Sequence, residues 1–148
     1  MNESEIREKI NDYEKFVQEK LKKDLKDIEA LLLNKSQEHK DWKEAQIVAR
    51  NLQEFKDKDR DMNVMFDMGH NIMCSGEISN CETIYVDIGL NNLLEMNCEE
   101  LDKYADIRLK LLSKEIEHFR KLAVNVKVHI KMVLLAINEL QSTLKVAS

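Results

Sequence analysis

The chain has 148 residues, a formal net charge of −5, and 34% charged against 5% aromatic side chains, with no proline and three glycines. That balance favours long helices around a thin core, and because lysines are interspersed with acids it offers no basic patch for direct nucleic-acid binding. No run approaches the ~20 consecutive apolar residues of a membrane span and the N-terminus is too acidic and polar for a secretory signal, so an intracellular protein with no membrane contact is expected.

The first long segment carries apolar residues at steps of three and four: Ile6, Ile10, Tyr13, Val17, Leu21, Leu25, Ile28, Leu32, then Val48, Leu52 and Phe55. Such a stripe is one face of a helix. Asn2 followed by Glu5 has the spacing of a capping box, and Glu5 to Lys9 and Glu19 to Lys23 are pairs one turn apart. Between Leu32 and Val48 the stripe is interrupted by Lys35 and His39, with Trp42 and Ala45 as its apolar members, so a bend or loosening is expected there. With no Pro or Gly to break it, the spacing predicts one helix over about residues 3–58, roughly 80 Å long at ~1.5 Å per residue.

The three glycines, Gly69, Gly76 and Gly89, all fall in the next segment, where the period changes. In Thr83-Ile84-Tyr85-Val86-Asp87-Ile88-Gly89 apolar and polar residues alternate, which is strand spacing. Val64, Phe66 and Met68 repeat the pattern, Ile72, Cys74 and Ile78 continue it around Gly76, and Leu94 and Met96 supply a short last strand. Four strands make two β-hairpins over about residues 61–96. Isolated hairpins are marginal in water and expose their edges, so Val64, Phe66, Ile84, Val86 and Ile88 are expected to serve subunit assembly in an obligate oligomer.

The last segment opens on Asn97-Cys98-Glu99-Glu100, a second capping box, and its stripe runs Leu101, Tyr104, Leu111, Phe119, Leu122, Val126, Ile130, Val133, Ile137, Leu140 and Leu144. A helix over about residues 98–145 is predicted. Two amphipathic helices of similar length bury their stripes against each other as an antiparallel coiled coil. The fold class is mainly α with a small β part: a long antiparallel two-helix coiled coil with two β-hairpins at the connecting end, one domain over residues 1–148.

Residue chemistry argues against an enzyme, because a two-helix hairpin offers no water-restricted concavity in which to position a nucleophile or an acid–base pair. His118 and His129 lie eleven residues apart, ~16 Å along a helix, too far to share a metal. His70, Cys74 and Cys81 match no zinc spacing, and the three cysteines, Cys98 included, contain no Cys-x-x-Cys pair, so reduced thiols in packing roles are expected, with no metal and no cofactor. Met62, Met65, Met68 and Met73 read as packing or subunit contact at the first hairpin, and the Lys20 to Asp27 run reads as a solvated helix face.

Helix, paired hairpins and returning helix together resemble the α class of prefoldin subunits; the β class has one hairpin. The resemblance is carried by Ile84-Tyr85-Val86-Asp87-Ile88-Gly89, by Leu94-Glu95-Met96 and by Asn125-Val126-Lys127-Val128-His129-Ile130-Lys131-Met132. Many α-class members have a second glycine two residues after the strand-three glycine, where this chain has Gly89-Leu90-Asn91. What the resemblance implies is a non-enzymatic co-chaperone subunit in a jellyfish-like hetero-oligomer. Its hairpins would form β-barrels with β-class prefoldin subunits, and its helical tentacles would hold client proteins near their tips, where Ile6, Ile10, Leu140 and Leu144 lie. It further implies a prefoldin-like module with the unconventional prefoldin URI and the R2TP co-chaperone, in cytoplasm and nucleus. An alternative is an adaptor or transcriptional cofactor that docks regulators through its coiled coil.

Overall fold

A computed structural model describes residues 3–58, 62–78 and 82–147. In chain order these form helix α1 (Glu3–Phe16), a π-helical turn (Val17–Leu21), helix α2 (Lys22–Asp57), strands β1 (Met62–Asp67), β2 (Met73–Ile78), β3 (Thr83–Gly89) and β4 (Asn92–Asn97), and helix α3 (Cys98–Ala147). The predicted fold class stands: long helices with two small antiparallel hairpins, β1 with β2 and β3 with β4.

The expected irregularity in the first helical segment lies elsewhere. Helix α2 runs unbroken through residues 32–48, and the departure from α geometry is the π turn at Val17–Leu21. The stripe itself explains this. Val17, Leu21 and Leu25 are spaced by four and four, so two turns consume eight residues where ideal α geometry needs about seven. One extra residue, taken up as a single π turn, keeps Val17 and Leu21 both buried. Between residues 32 and 48 polar side chains replace apolar ones in the seam. Lys35 pairs with Glu115 at 2.9 Å, Glu38 takes the Arg108 guanidinium, and Trp42 stacks edge-on to Tyr104 with centroids 5.3 Å apart.

The chain folds as two compact units, residues 1–37 with 113–148, and residues 38–112. In the first, the pairs Glu29 with Lys127 (2.9 Å) and Lys35 with Glu115 run in opposite sequence order, so the helical segments pack antiparallel. Ile6, Val17 and Leu21 are buried on one side and Ile116, Ala123 and Ile137 on the other. The second unit has its own antiparallel pairs, Glu38 with Arg108 and Arg50 with Asp102 (2.9 Å), and its hairpins pack on the helices. Helix α3 starts with the predicted box. The Glu100 N–H donates to Asn97 Oδ1 at 2.8 Å, and the Asn97 N–H donates to Glu100 Oε2 at 3.0 Å. The corresponding box at the start of α1 rests on Asn2, which lies outside the described residues.

The seam of α3 keeps the predicted positions from Phe119 onward except Leu122, and differs before it at Leu111. Its buried and half-buried positions are Ala105, Leu112, Phe119, Val126, Val133 and Leu140, interlaced with Leu109, Ile116, Ala123, Ile130, Ile137 and Leu144. Both series repeat every seven residues. Leu111 and Leu122, expected in the seam, are exposed, and so are Tyr13 and Val48 in the opposing segments. Counting forward from Tyr104 lands on Leu111, whereas counting back from Phe119 lands on Leu112; the longer C-terminal series fixes the phase. At Val48 the seam takes the neighbouring Ala49 instead, whose small side chain lets the second hairpin approach the helix.

The two leucines provide a test of that phase. Leu112→Ala should cost about 3 kcal/mol, since its side chain is fully buried. Leu111→Ala should stay within about 0.5 kcal/mol. Urea denaturation followed by far-ultraviolet circular dichroism separates them, and equal losses would refute the assigned seam.

Candidate assembly surface

The two hairpins use one local chemistry twice. Asp67-Met68-Gly69-His70-Asn71 and Asp87-Ile88-Gly89-Leu90-Asn91 share the pattern Asp-x-Gly-x-Asn twenty residues apart. In each, the aspartate Oδ1 accepts the glycine N–H, at 2.7 Å in the first and 2.8 Å in the second. The glycines sit at φ +93° and +98°, and the two residues after each are left-handed as well, His70 and Asn71 at +54° and +62°, Leu90 and Asn91 at +55° and +57°. Consecutive left-handed residues close a two-residue hairpin in the sense that matches strand twist. The aspartate's turn and a glycine that enters positive φ freely make this geometry accessible. Leucine at Leu90 has no such freedom, and its conformation costs ~1–2 kcal/mol. Its side chain is 96% exposed, so contacts with the described residues do not offset that cost.

Strand pairing then sets which side chains face inward. Ile84 is opposite Met96 and Val86 opposite Leu94, while Tyr85 is opposite Glu95 and Asp87 opposite Leu93. Val86 and Met96 are buried in a cluster with Ala49 and Leu101, and Trp42, Ile84 and Tyr104 pack around it. In the first hairpin, Met62 and Ile78 pack against the buried pair Leu52 and Cys98. Further out, the Phe66 ring lies over Gly76, so that a Cβ there would come within 2.9 Å of it. An aromatic covering a strand glycine shields backbone that would otherwise face water.

Of the five residues expected in subunit assembly, Ile84 and Val86 are therefore engaged by the chain's own helices, Val64 is half-buried, and Phe66 and Ile88 are exposed. Sequence alternation identifies the apolar face correctly as a face but carries no information about which layer covers it. A second apolar set lies on the opposite faces: Tyr85 and Leu93, each 67% exposed, which the alternation does not single out, with Met65 and Met73 of the methionine group already noted at the first hairpin. Among the described residues each of the four strands pairs on one side only, leaving the other edge open to a further strand.

An open cavity of about 440 Å³ lies beside β3, lined by Glu38, Asp41, Trp42, Val86, Asp87 and Arg108 among others. The expectation that such a fold offers no concavity is thus too strict. Its charged groups are engaged, however: Glu38 holds Arg108, whose guanidinium also lies 5.7 Å from the Trp42 ring centroid, and Asp87 accepts from Gly89. Among the described residues no group of three His, Cys, Asp or Glu side chains is arranged to hold a metal ion. His118 and His129 are exposed; Cys98 is buried, Cys74 half-buried, and Cys81 lies outside the described residues. Ile6 is buried, and Ile10, Leu140 and Leu144 are half-buried, all on the seam side of their helices. No described helix is long and apolar enough to cross a membrane.

A family model described as prefoldin subunit matches residues 26–143. Among curated relatives, a protein UXT homolog of Nematostella vectensis is 26% identical over 140 residues, covering 93% of this chain and 86% of its own length. Protein UXT of Homo sapiens and that of Bos taurus are each 30% identical over 142 residues, covering 90% of this chain and 84% and 85% of theirs.

The two faces of the second hairpin should respond oppositely to substitution. Val86→Asp should destabilise the isolated chain by more than about 3 kcal/mol, because it puts an unpaired carboxylate into an apolar cluster. Tyr85→Ser and Leu93→Ser should each change stability by less than about 0.5 kcal/mol. Thermal melts of the three variants decide this, and a large loss for Tyr85→Ser would show that the outer face is already used within the chain.

Proposed function

The chain belongs to the prefoldin-subunit family, and on that premise we propose that it is a non-enzymatic co-chaperone subunit of a prefoldin or prefoldin-like hetero-oligomer that assembles through its hairpins. The observation that carries this reading is the pair of two-stranded sheets, each with open edges and an exposed apolar outer face. Each sheet packs one face on the chain's own helices and leaves its other face and its strand edges uncovered, which is where strands of other subunits would pair. The partners that fit are β-class prefoldin subunits. Similarity to UXT proteins supports membership in a prefoldin-like module with the unconventional prefoldin URI and the R2TP co-chaperone, in both cytoplasm and nucleus.

Within that assembly the helices carry the clients. A coiled-coil seam one residue deep leaves apolar atoms partly exposed at its ends, and partial exposure of Ile10, Leu140 and Leu144 supports a client contact there, with Ile6 beside them. Assembly needs no catalytic group, and none is assigned.

Copurification with candidate β-class subunits, followed by light scattering, tests the assembly. A defined hetero-oligomer is expected, and Tyr85→Glu with Leu93→Glu should disperse it while the circular dichroism of the isolated chain stays unchanged. A stable monomer that ignores those partners would overturn the reading. Client handling has its own assay: the assembled complex should suppress aggregation of a chemically unfolded test protein, and failure there with continued binding of folded regulators would leave an adaptor.

A further inference from the structure

Helix α3 is apolar on two opposite faces. One is the seam. The other is a stripe formed by Val124, Val128, Met132 and Leu135, which are 58%, 47%, 62% and 54% exposed. At about 100° per residue these four fall within roughly 80° of one another and directly across the helix axis from Phe119, Val126, Ile130 and Ile137. They belong to the unit formed by residues 1–37 and 113–148, and no described side chain covers them.

Charge along the flank of the stripe is cationic, with Glu117 and Glu139 just beyond its two ends. From His118 to Asn138 the helix contains Arg120, Lys121, Lys127 and Lys131 and no Asp or Glu, although the whole chain is acidic at −5. Lys121 reaches back to Glu117 at 3.5 Å and Lys127 crosses to Glu29 at 2.9 Å; the side chains of both pairs are at least half exposed. Exposed ion pairs of this kind exchange partners at little cost. At the N-terminal end of the stripe a shallow depression of about 230 Å³ is lined by Glu117, Arg120, Lys121, Val124 and Asn125.

We propose that this outer face of α3 is a docking site for one amphipathic helix of a partner protein, with acidic residues flanking its apolar seam. The spacing of four, four and three residues between Val124 and Leu135 is that of knobs in a helix–helix seam about 16 Å long. The cationic border selects an acidic occupant and repels a basic one. A narrow stripe fits a helix better than a lipid surface: membrane-bound helices present a broader apolar face with bulky residues, and the far side of α3 is occupied by its own coiled coil. The stripe belongs to a different unit from the hairpins, so α3 would serve two seams at once.

The test uses the full chain, alone and in its hetero-oligomer, with two fluorescent 21-residue helical peptides. They share a leucine seam and differ in glutamate or lysine flanks. Anisotropy should show saturable binding of the glutamate peptide and binding at least about tenfold weaker for the lysine peptide. Val128→Ser with Met132→Ser should weaken the glutamate peptide by about tenfold or more, leaving both circular dichroism and the mass of the hetero-oligomer unchanged. Arg120→Glu with Lys131→Glu should invert the peptide preference. Equal binding of both peptides, or none, overturns the proposal. Binding to phosphatidylserine vesicles without the peptide would assign the face to a lipid surface, and a doubling of mass lost on Val128→Glu would assign it to a second copy; either also overturns it. Loss of hetero-oligomer with peptide binding retained would count against the assembly reading alone.

Discussion

The packing of Val86 and Met96 against Ala49 and Leu101 is the contact on which the arrangement of the second hairpin depends. A two-stranded sheet has no intrinsic inside, and burial of one alternate set gives it one. Once Val86 faces the helices, Tyr85 and Leu93 must face away, because successive strand residues point to opposite sides. Small side chains make the contact possible: Ala49 sits almost fully buried where a valine one position earlier stays in water. Hairpin orientation therefore depends on an alanine in α2 as much as on the strand's own pattern. The buried set is one that the chain uses for itself, which leaves the outer faces and the strand edges as the surfaces still uncovered.

Much of this is legible in the residues. The change from a helical to a two-residue period between the long segments locates the strands, and the Asn97–Glu100 box marks the start of α3 to the residue. Phase and cover are not legible. Tyr104 and Phe119 imply different registers for the leucines between them, and the seven-residue series that decides the matter includes Ala105 and Ala123, residues that carry little hydropathy signal. Polar seam positions are equally opaque. Lys35 looks like a break in a stripe, yet it meets Glu115 on α3, and Glu38, next to the other expected break at His39, meets Arg108. The assembly residues follow the same rule, since alternation reports two faces and leaves open which one a helix will occupy.

Helix α3 illustrates how far a single helix can be loaded. Its seam follows a strict heptad, its N-terminal turns support the second hairpin, and its outward side holds Val124, Val128, Met132 and Leu135 beside a stretch free of acids. These demands are compatible because they are separated around or along the helix. Within that stretch Lys121 and Lys127 meet Glu117 and Glu29 in exposed pairs that solvent screens.

The π turn at Val17–Leu21 gives the first helical segment a property its partner lacks. An ordinary helix transmits every insertion or deletion downstream as a rotation of about 100°, which swings an entire apolar stripe away from its mate. A π turn already holds one surplus residue in a loop of backbone that α geometry does not require. Loss of a residue there converts the turn to plain helix and leaves the side chains on either side facing as before, apart from a small change of phase. This stretch is thus an indel buffer, a place where the gene for this chain can change length without unzipping the coil it encodes.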